Sequence, residues 1–293
     1  MSLLIEATTK HQAGDLVEAA QLYSSFLSQN SKNLEALSLF GLCLHDLGDY
    51  PKAEKLFSVA MNYNASRFDL YQNRGTTRLQ MGKFDEALSD FEGGLSFLPN
   101  DIDCLLKAGN TCIKLKKVDK ALQFFQKAVT LSPSDDGAIA GLAYSLSMRG
   151  LHAIKEKKIK AAIIDLQKAQ TLCPDAWEIA YNLGNAYLKS DNYSMAQLQY
   201  EKAKELNGDT VDLHCNLGIA LERLGLFSQS IQSYENALNL NSGSHTASYN
   251  KSLLLLKLGK YRQGFKLYEH RWELDRGSDL EPHDHKGYIY NIY

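Results

Sequence analysis

The stretch YNLGNAYLKSDNYSMAQLQYEKAKEL, Tyr181–Leu206, places Gly184 inside a run that otherwise reads as helix. Asn182 and Asn185 flank it where a helix would favour alanine or glutamate. Glycine in a helix interior costs about 1 kcal/mol relative to alanine, so packing must offset it. Working outward from Ala196, a small residue recurs. Ala19, Ala53, Ala87 and Ala121 follow at intervals of 34, and the series resumes as Ala162, Ala196, Ser230 and Gly264. Four residues after each stands a large one: Tyr23, Phe57, Phe91, Phe125, Leu166, Tyr200, Tyr234 and Tyr268. A second small series runs upstream as Ala7, Gly41, Gly75, Gly109, Ala143, Gly184, Gly218 and Ser252. Pro99, Pro133 and Pro174 close three of the repeats.

A period in this range marks an array of stacked supersecondary units rather than ordinary domains. Within each repeat the apolar spacing is helical, not alternating. Each therefore reads as helix A, a short turn (Gly48-Asp49, Gly82-Lys83, Gly225), helix B and a second turn. On this reading Gly184 and Ala196 let the two helices approach, and Tyr200 fills the gap against neighbouring helices.

The pattern resembles the tetratricopeptide repeat family over residues 1–276. The resemblance implies an all-α, right-handed superhelical solenoid of about eight helix-turn-helix repeats. Their bounds fall near 1–33, 34–67, 68–101, 102–135, 136–176, 177–210, 211–244 and 245–276, with a C-terminal tail at 277–293. Two repeats depart from the pattern. The eighth has Gly264 and Arg271 where small packing residues belong, and the first carries Glu6 and Lys10 at usually apolar positions, as suits an exposed end. The fifth repeat is enlarged: Ala121 to Ala162 spans 41 residues, seven more than the period. Seven residues make about two helical turns, and the expectation puts them in MRGLHAIKEKKIK, Met148–Lys160, lengthening helix A, helix B or both. Its lysines, Lys155, Lys157, Lys158 and Lys160, with Lys114, Lys116, Lys117 and Lys120, would form either a solvated charged turn or a basic patch for an acidic partner.

Composition narrows the function. With 44% hydrophobic residues, 23% charged residues and a net charge of −2, the chain lacks the basic excess of a nucleic-acid binder. Cys43, Cys104, Cys112, Cys173 and Cys215 include no CxxC pair, which points to reduced thiols. MSLLIEATTK has neither the basic start nor the apolar core of a signal peptide. No apolar stretch approaches the roughly 20 residues that span a bilayer. The expectation is a cytoplasmic protein that engages neither membrane nor nucleic acid.

The same period places polar residues in a row. Asn182 recurs as Asn216 and Asn250, with Asn73 and Lys107 in the corresponding places of repeats 3 and 4. Repeats 1, 2 and 5 carry Ile5, Leu39 and Gly141 there, so the continuous part is repeats 6 to 8. The resemblance implies that helix A lines the inner, concave wall. Each carboxamide offers an acceptor and two donors, suited to the backbone of an extended peptide or else to hydrogen bonds between helices. Selectivity would fall to Tyr181, Asn185, Lys189, Cys215, Tyr249, Asn110 and Lys114. The row is also similar to the superhelix of O-linked N-acetylglucosamine transferases. GKYRQGFKLYEHRWEL, Gly259–Leu274, resembles the final repeat of bacterial repeat-containing glycosyltransferases. That likeness implies an alternative role as a substrate-holding arm.

No GxSxG, P-loop or HExxH motif is present, so no catalytic residue, cofactor or metal is expected. The one metal-like run, Glu281, His283, Asp284 and His285, lies in the tail and is of a kind that arises easily by chance. The function expected is non-catalytic: a scaffold that binds a protein or an extended peptide in its groove. Self-association through the array ends or the tail, with its Tyr288, Ile289, Tyr290, Ile292 and Tyr293, is the remaining alternative.

Overall fold

The computed structural model describes residues 2–269. Among these, sixteen α-helices follow one another without a strand. They fall into two compact blocks, Met1–Met148 and Arg149–Tyr293. The first block contains α1 (Ser2–Gln12), α2 (Leu16–Gln29), α3 (Leu34–Asp46), α4 (Tyr50–Tyr63), α5 (Phe68–Gln80), α6 (Phe84–Phe97), α7 (Ile102–Lys114) and α8 (Val118–Leu131). Helix α9 (Asp136–Lys155) runs from the first block into the second. The second block continues with α10 (Ile159–Leu172), α11 (Trp177–Lys189), α12 (Tyr193–Glu205), α13 (Val211–Arg223), α14 (Phe227–Leu240), α15 (His245–Lys257) and α16 (Tyr261–Tyr268). Helices pair as sequential hairpins, and odd-numbered helices also touch: α1 on α3, α3 on α5 and α5 on α7 in the first block, α11 on α13 and α13 on α15 in the second.

The turn between helices A and B closes the same way each time. One residue takes a left-handed backbone: Gly14, Gly48, Gly82, Gly225 and Gly259, with Lys116, Lys157 and Asp191 in the same register. In the second repeat the Gly48 N–H donates to the His45 carbonyl and the Asp49 N–H to that of Leu44, a Schellman closure that satisfies otherwise orphaned carbonyls. Side-chain caps then start several helices, as where Asn192 accepts from the Met195 N–H and Thr210 from the Leu213 N–H.

The packing answers the question raised by Gly184. A Cβ built there would lie 2.6 Å from the Tyr200 ring, which is fully buried. The same contact recurs at Gly41 with Phe57, Gly75 with Phe91, Gly109 with Phe125 and Gly218 with Tyr234, the ring always sixteen residues on. Glycine is needed because the aromatic ring occupies the space a methyl group would take.

The fifth repeat selects one of the expected placements for the extra residues. Helix α9 has 20 residues against 13 in α7 and α11, while α10 keeps 14, so all seven lengthen helix A. Gly150, rather than Ala143, stands sixteen residues before Leu166, and a Cβ on it would meet that side chain at 2.9 Å. Arg149 pairs with Asp165 across the same hairpin at 2.7 Å, in the register of Arg74 with Asp90. The front of α9 follows the earlier register: Gly141 would clash with Phe125 in the first block. Three of the eight lysines around these turns form ion pairs, Lys117 with Asp85, Lys120 with Glu92 and Lys158 with Glu156.

Charged groups inside the first block are also matched. Asp90, with 3% of its side chain exposed, accepts from Arg74 and Arg78, and Arg78 reaches on to Glu54, which Lys83 also holds. Such a network ties α4, α5 and α6 because removing one member would strand a buried charge.

Two outcomes test this packing. Gly184→Ala should destabilise the protein by about 1–3 kcal/mol through overpacking, although alanine is the better helix former, whereas exposed Lys157→Ala should stay within about 0.5 kcal/mol. Urea melts of both variants measure the difference. Burial pushes the Cys104, Cys112 and Cys215 thiols up from the ordinary 9.0 to about 12, 11 and 12. The folded chain therefore keeps protons that the unfolded chain releases above pH 9.0, so stability falls as pH rises through this window. Melts near pH 10 should show about 1 kcal/mol lost per thiol, and replacing Cys215 with alanine should shrink the pH-dependent part.

Candidate functional site

The row of amides in the second block lies on the A helices that touch one another, α11, α13 and α15. Asn182 is half-buried on α11 and makes no side-chain hydrogen bond among the described residues. Asn216, two turns from the start of α13, faces back to α11: its Nδ2 donates to Asn185 Oδ1 at 2.9 Å and to the Tyr181 hydroxyl at 3.2 Å. Asn185 Oδ1 also accepts from the Tyr200 hydroxyl at 2.7 Å. Tyr181 and Tyr200 lie with ring centroids 6.0 Å apart, and burial raises the Tyr181 hydroxyl above its usual range, keeping it a neutral phenol. Tyr181, Asn185 and Asn216 thus form a polar seam joining two repeats. Asn216 spends its donors there, and no side-chain bond to its carbonyl oxygen is made among the described residues.

The third amide has a different environment. Asn250 on α15 is 9% exposed, and its Nδ2 has no partner among the described residues. The physical reason lies one repeat upstream. Where Asn216 meets Tyr181 and Asn185, the register gives Asn250 the side chains of Cys215 and Ile219, and neither carries an oxygen. Cys215 is itself only 3% exposed, so it belongs to the core of this block rather than to a ligand surface. Tyr249 stacks on Tyr268 with centroids 5.7 Å apart, and Lys189 is exposed at the end of α11.

Next to Asn250 opens a cavity of about 740 Å³ bounded by α13, α14, α15 and α16. Its apolar walls include Ile219, Leu253, Leu256 and Phe265. Glu222 and Lys257 stand at its polar edge, joined at 3.1 Å. Ile219 and Leu253 escaped notice in the sequence, although each sits 34 residues after the previous member of the series begun by Asn185. The change from amide to aliphatic along that series was the available signal.

The remaining predicted contacts belong to the first block. Asn73 is half-buried on α5, and Asn110 is exposed on α7. Lys107 is held by Asp103 at 2.6 Å, and Gln72 of the preceding A helix donates to the same carboxylate. Lys114 lies 5.9 Å from the Phe84 ring centroid. No cluster of three or more metal-ligating side chains occurs among the described residues. The tail residues Glu281, His283, Asp284 and His285, the aromatic end of the chain, and His270–Leu274 of the glycosyltransferase-like stretch lie outside them. Among the described residues no helix is long and apolar enough to cross a membrane.

Sequence models described as tetratricopeptide repeat match residues 10–73, 102–135, 178–210 and 215–269. No curated protein matches the chain. Among solved structures, YrrB, described as a TPR protein with an unusual peptide-binding site, is similar with a TM-score of 0.51 and 20% identity, over 65% of this chain and 94% of that one. The C-terminal part of a TPR repeat-containing protein from Cytophaga hutchinsonii gives 0.58 at 15% identity, over 84% and 98%. The Naa15/Naa10 structure bound to HypK-THB gives 0.62 at 14%, covering 87% of this chain and 38% of that one. At these identities the likeness is one of fold.

The seam and the row separate in their energetics. Asn216→Ala should cost about 1 kcal/mol of stability, because it leaves Asn185 and Tyr181 short of a donor. Asn182→Ala should change stability by less than about 0.5 kcal/mol. Thermal melts of the two variants check this contrast.

Proposed function

This chain belongs to the tetratricopeptide repeat family, and from that premise we propose that it is a non-catalytic interaction scaffold. Its second block holds an extended polypeptide against α11, α13 and α15. The observation that carries the reading is the state of the three amides. Asn182 has no partner of its own among the described residues, Asn216 keeps an unused carbonyl oxygen, and Asn250 has an unpaired Nδ2. Spaced one repeat apart on helices that touch, they offer hydrogen bonds to a peptide backbone irrespective of its side chains. Tyr181, Asn185, Lys189 and Tyr249 border the row, and Asn73, Lys107 and Asn110 supply polar positions of the same kind in the first block. YrrB, similar in fold, is described as having a peptide-binding site, which agrees with this reading.

No cofactor or metal enters this function, and a reducing, cytoplasmic setting suits its buried free thiols. A role as the substrate-holding arm of a glycosyltransferase would be a special case of the same peptide wall.

Selection of random peptides displayed on phage against the immobilised full chain, followed by fluorescence polarisation of the winners, tests the wall. Asn182→Ala should weaken capture by up to about tenfold with its melting temperature unchanged. Failure to select any peptide, or unaltered affinity in that variant, would contradict the proposal.

A further inference from the structure

We propose that the cavity between α13 and α16 is an anchor pocket for a bulky, uncharged side chain, aliphatic or aromatic, of the bound polypeptide. This rests on the reading of α11, α13 and α15 as a peptide wall and adds to it the chemistry of the residue selected. Three observations lead there.

The first is an apolar side chain out of place. Phe265 follows the small residue Gly264 of the last repeat, and the leucines in that register of the third and fourth repeats, Leu88 and Leu122, are 3% and 8% exposed. Phe265 is 59% exposed and borders the cavity. A large apolar group presented beside a concave apolar wall is the usual composition of a ligand site.

The second is the amide of Asn250. It lines the same cavity, is nine-tenths buried, and leaves Nδ2 unpaired among the described residues. A buried donor without an acceptor is unfavourable. Rotation about its terminal torsion would turn the amide towards a main-chain carbonyl of a ligand whose side chain fills the pocket.

The third is charge. Lys257 at the edge is paired with Glu222 and lies 5.4 Å from the Phe227 ring centroid, and Arg223 sits over the Tyr193 ring at 6.0 Å. The ions near the opening are matched within the protein, so the pocket does not require a charge on its ligand. What it offers is apolar area and one amide, which is the complement of a leucine-, phenylalanine- or tryptophan-like residue with its backbone.

The test uses the full chain and two probes, N-acetyl-L-tryptophanamide and N-acetylglycinamide, which share a backbone and differ in the side chain. The Asn250 side-chain amide is followed by NMR, its resonance identified by its loss in Asn250→Asp. The tryptophan probe should shift that resonance saturably at millimolar concentration, and the glycine probe should not. Phe265→Ser, at an exposed position, should weaken the effect about tenfold without lowering the melting temperature. No shift with either probe, equal shifts with both, or indifference to Phe265→Ser would overturn the pocket. Binding seen only after Ile289→Asp with Ile292→Asp would assign the pocket to the chain's own C-terminal segment instead of a partner, and would equally overturn it. Phage-selected peptides that respond to Asn182→Ala but not to Phe265→Ser would leave the wall standing and remove the anchor. If no peptide is selected at all, the wall fails while the tryptophan titration still judges the pocket.

Discussion

The contact between the Gly184 backbone and the Tyr200 ring, repeated along the chain with phenylalanine or tyrosine as the ring, sets the distance between the two helices of a repeat. A methyl group in its place would stand 2.5–2.8 Å from aromatic carbons in five repeats. Close-packed interiors do not yield cheaply to such an intrusion. Because this distance is held, the outer surfaces of helix A are held too. The amides of α11 and α13 therefore owe their alignment to residues on their opposite face.

Helix α9 shows how the same constraint tolerates an insertion. Seven residues make nearly two whole turns, so a small residue remains available on each side: Gly141 against Phe125 of the preceding repeat at the front and Gly150 against Leu166 of its own hairpin at the back. An insertion of five or six residues would have rotated one contact out of register. Lengthening helix A alone leaves α10 an ordinary second helix.

Polar groups along the array divide into those that join repeats and those that make no bond among the described residues. Asn216 does the first, linking α13 to Tyr181 and Asn185 of α11. Asn250 has the same register, but the preceding repeat carries Cys215 and Ile219 where Asn216 has Tyr181 and Asn185, and its Nδ2 is unpaired among the described residues beside an apolar cavity. Two changes in the preceding repeat thus leave the same amide without the partners that Asn216 finds.

Much of this was legible in the sequence. The 34-residue series of small and large residues determined the helical hairpins and their order, because a side chain's distance along a helix fixes the face it occupies, while the contact of the Tyr200 ring with Gly184 came from the packing. The same spacing put Asn182, Asn216 and Asn250 in one row. Tertiary structure decided what spacing leaves open. It sent all seven extra residues into α9, since the contact with Leu166 is met by Gly150 and not by Ala143. It also buried Cys215 and separated three identical amides into one without a bond, one in a seam and one unsatisfied. A repeat period specifies where a side chain sits, but its function depends on atoms contributed by the neighbouring repeat, and those are known only once the helices are packed.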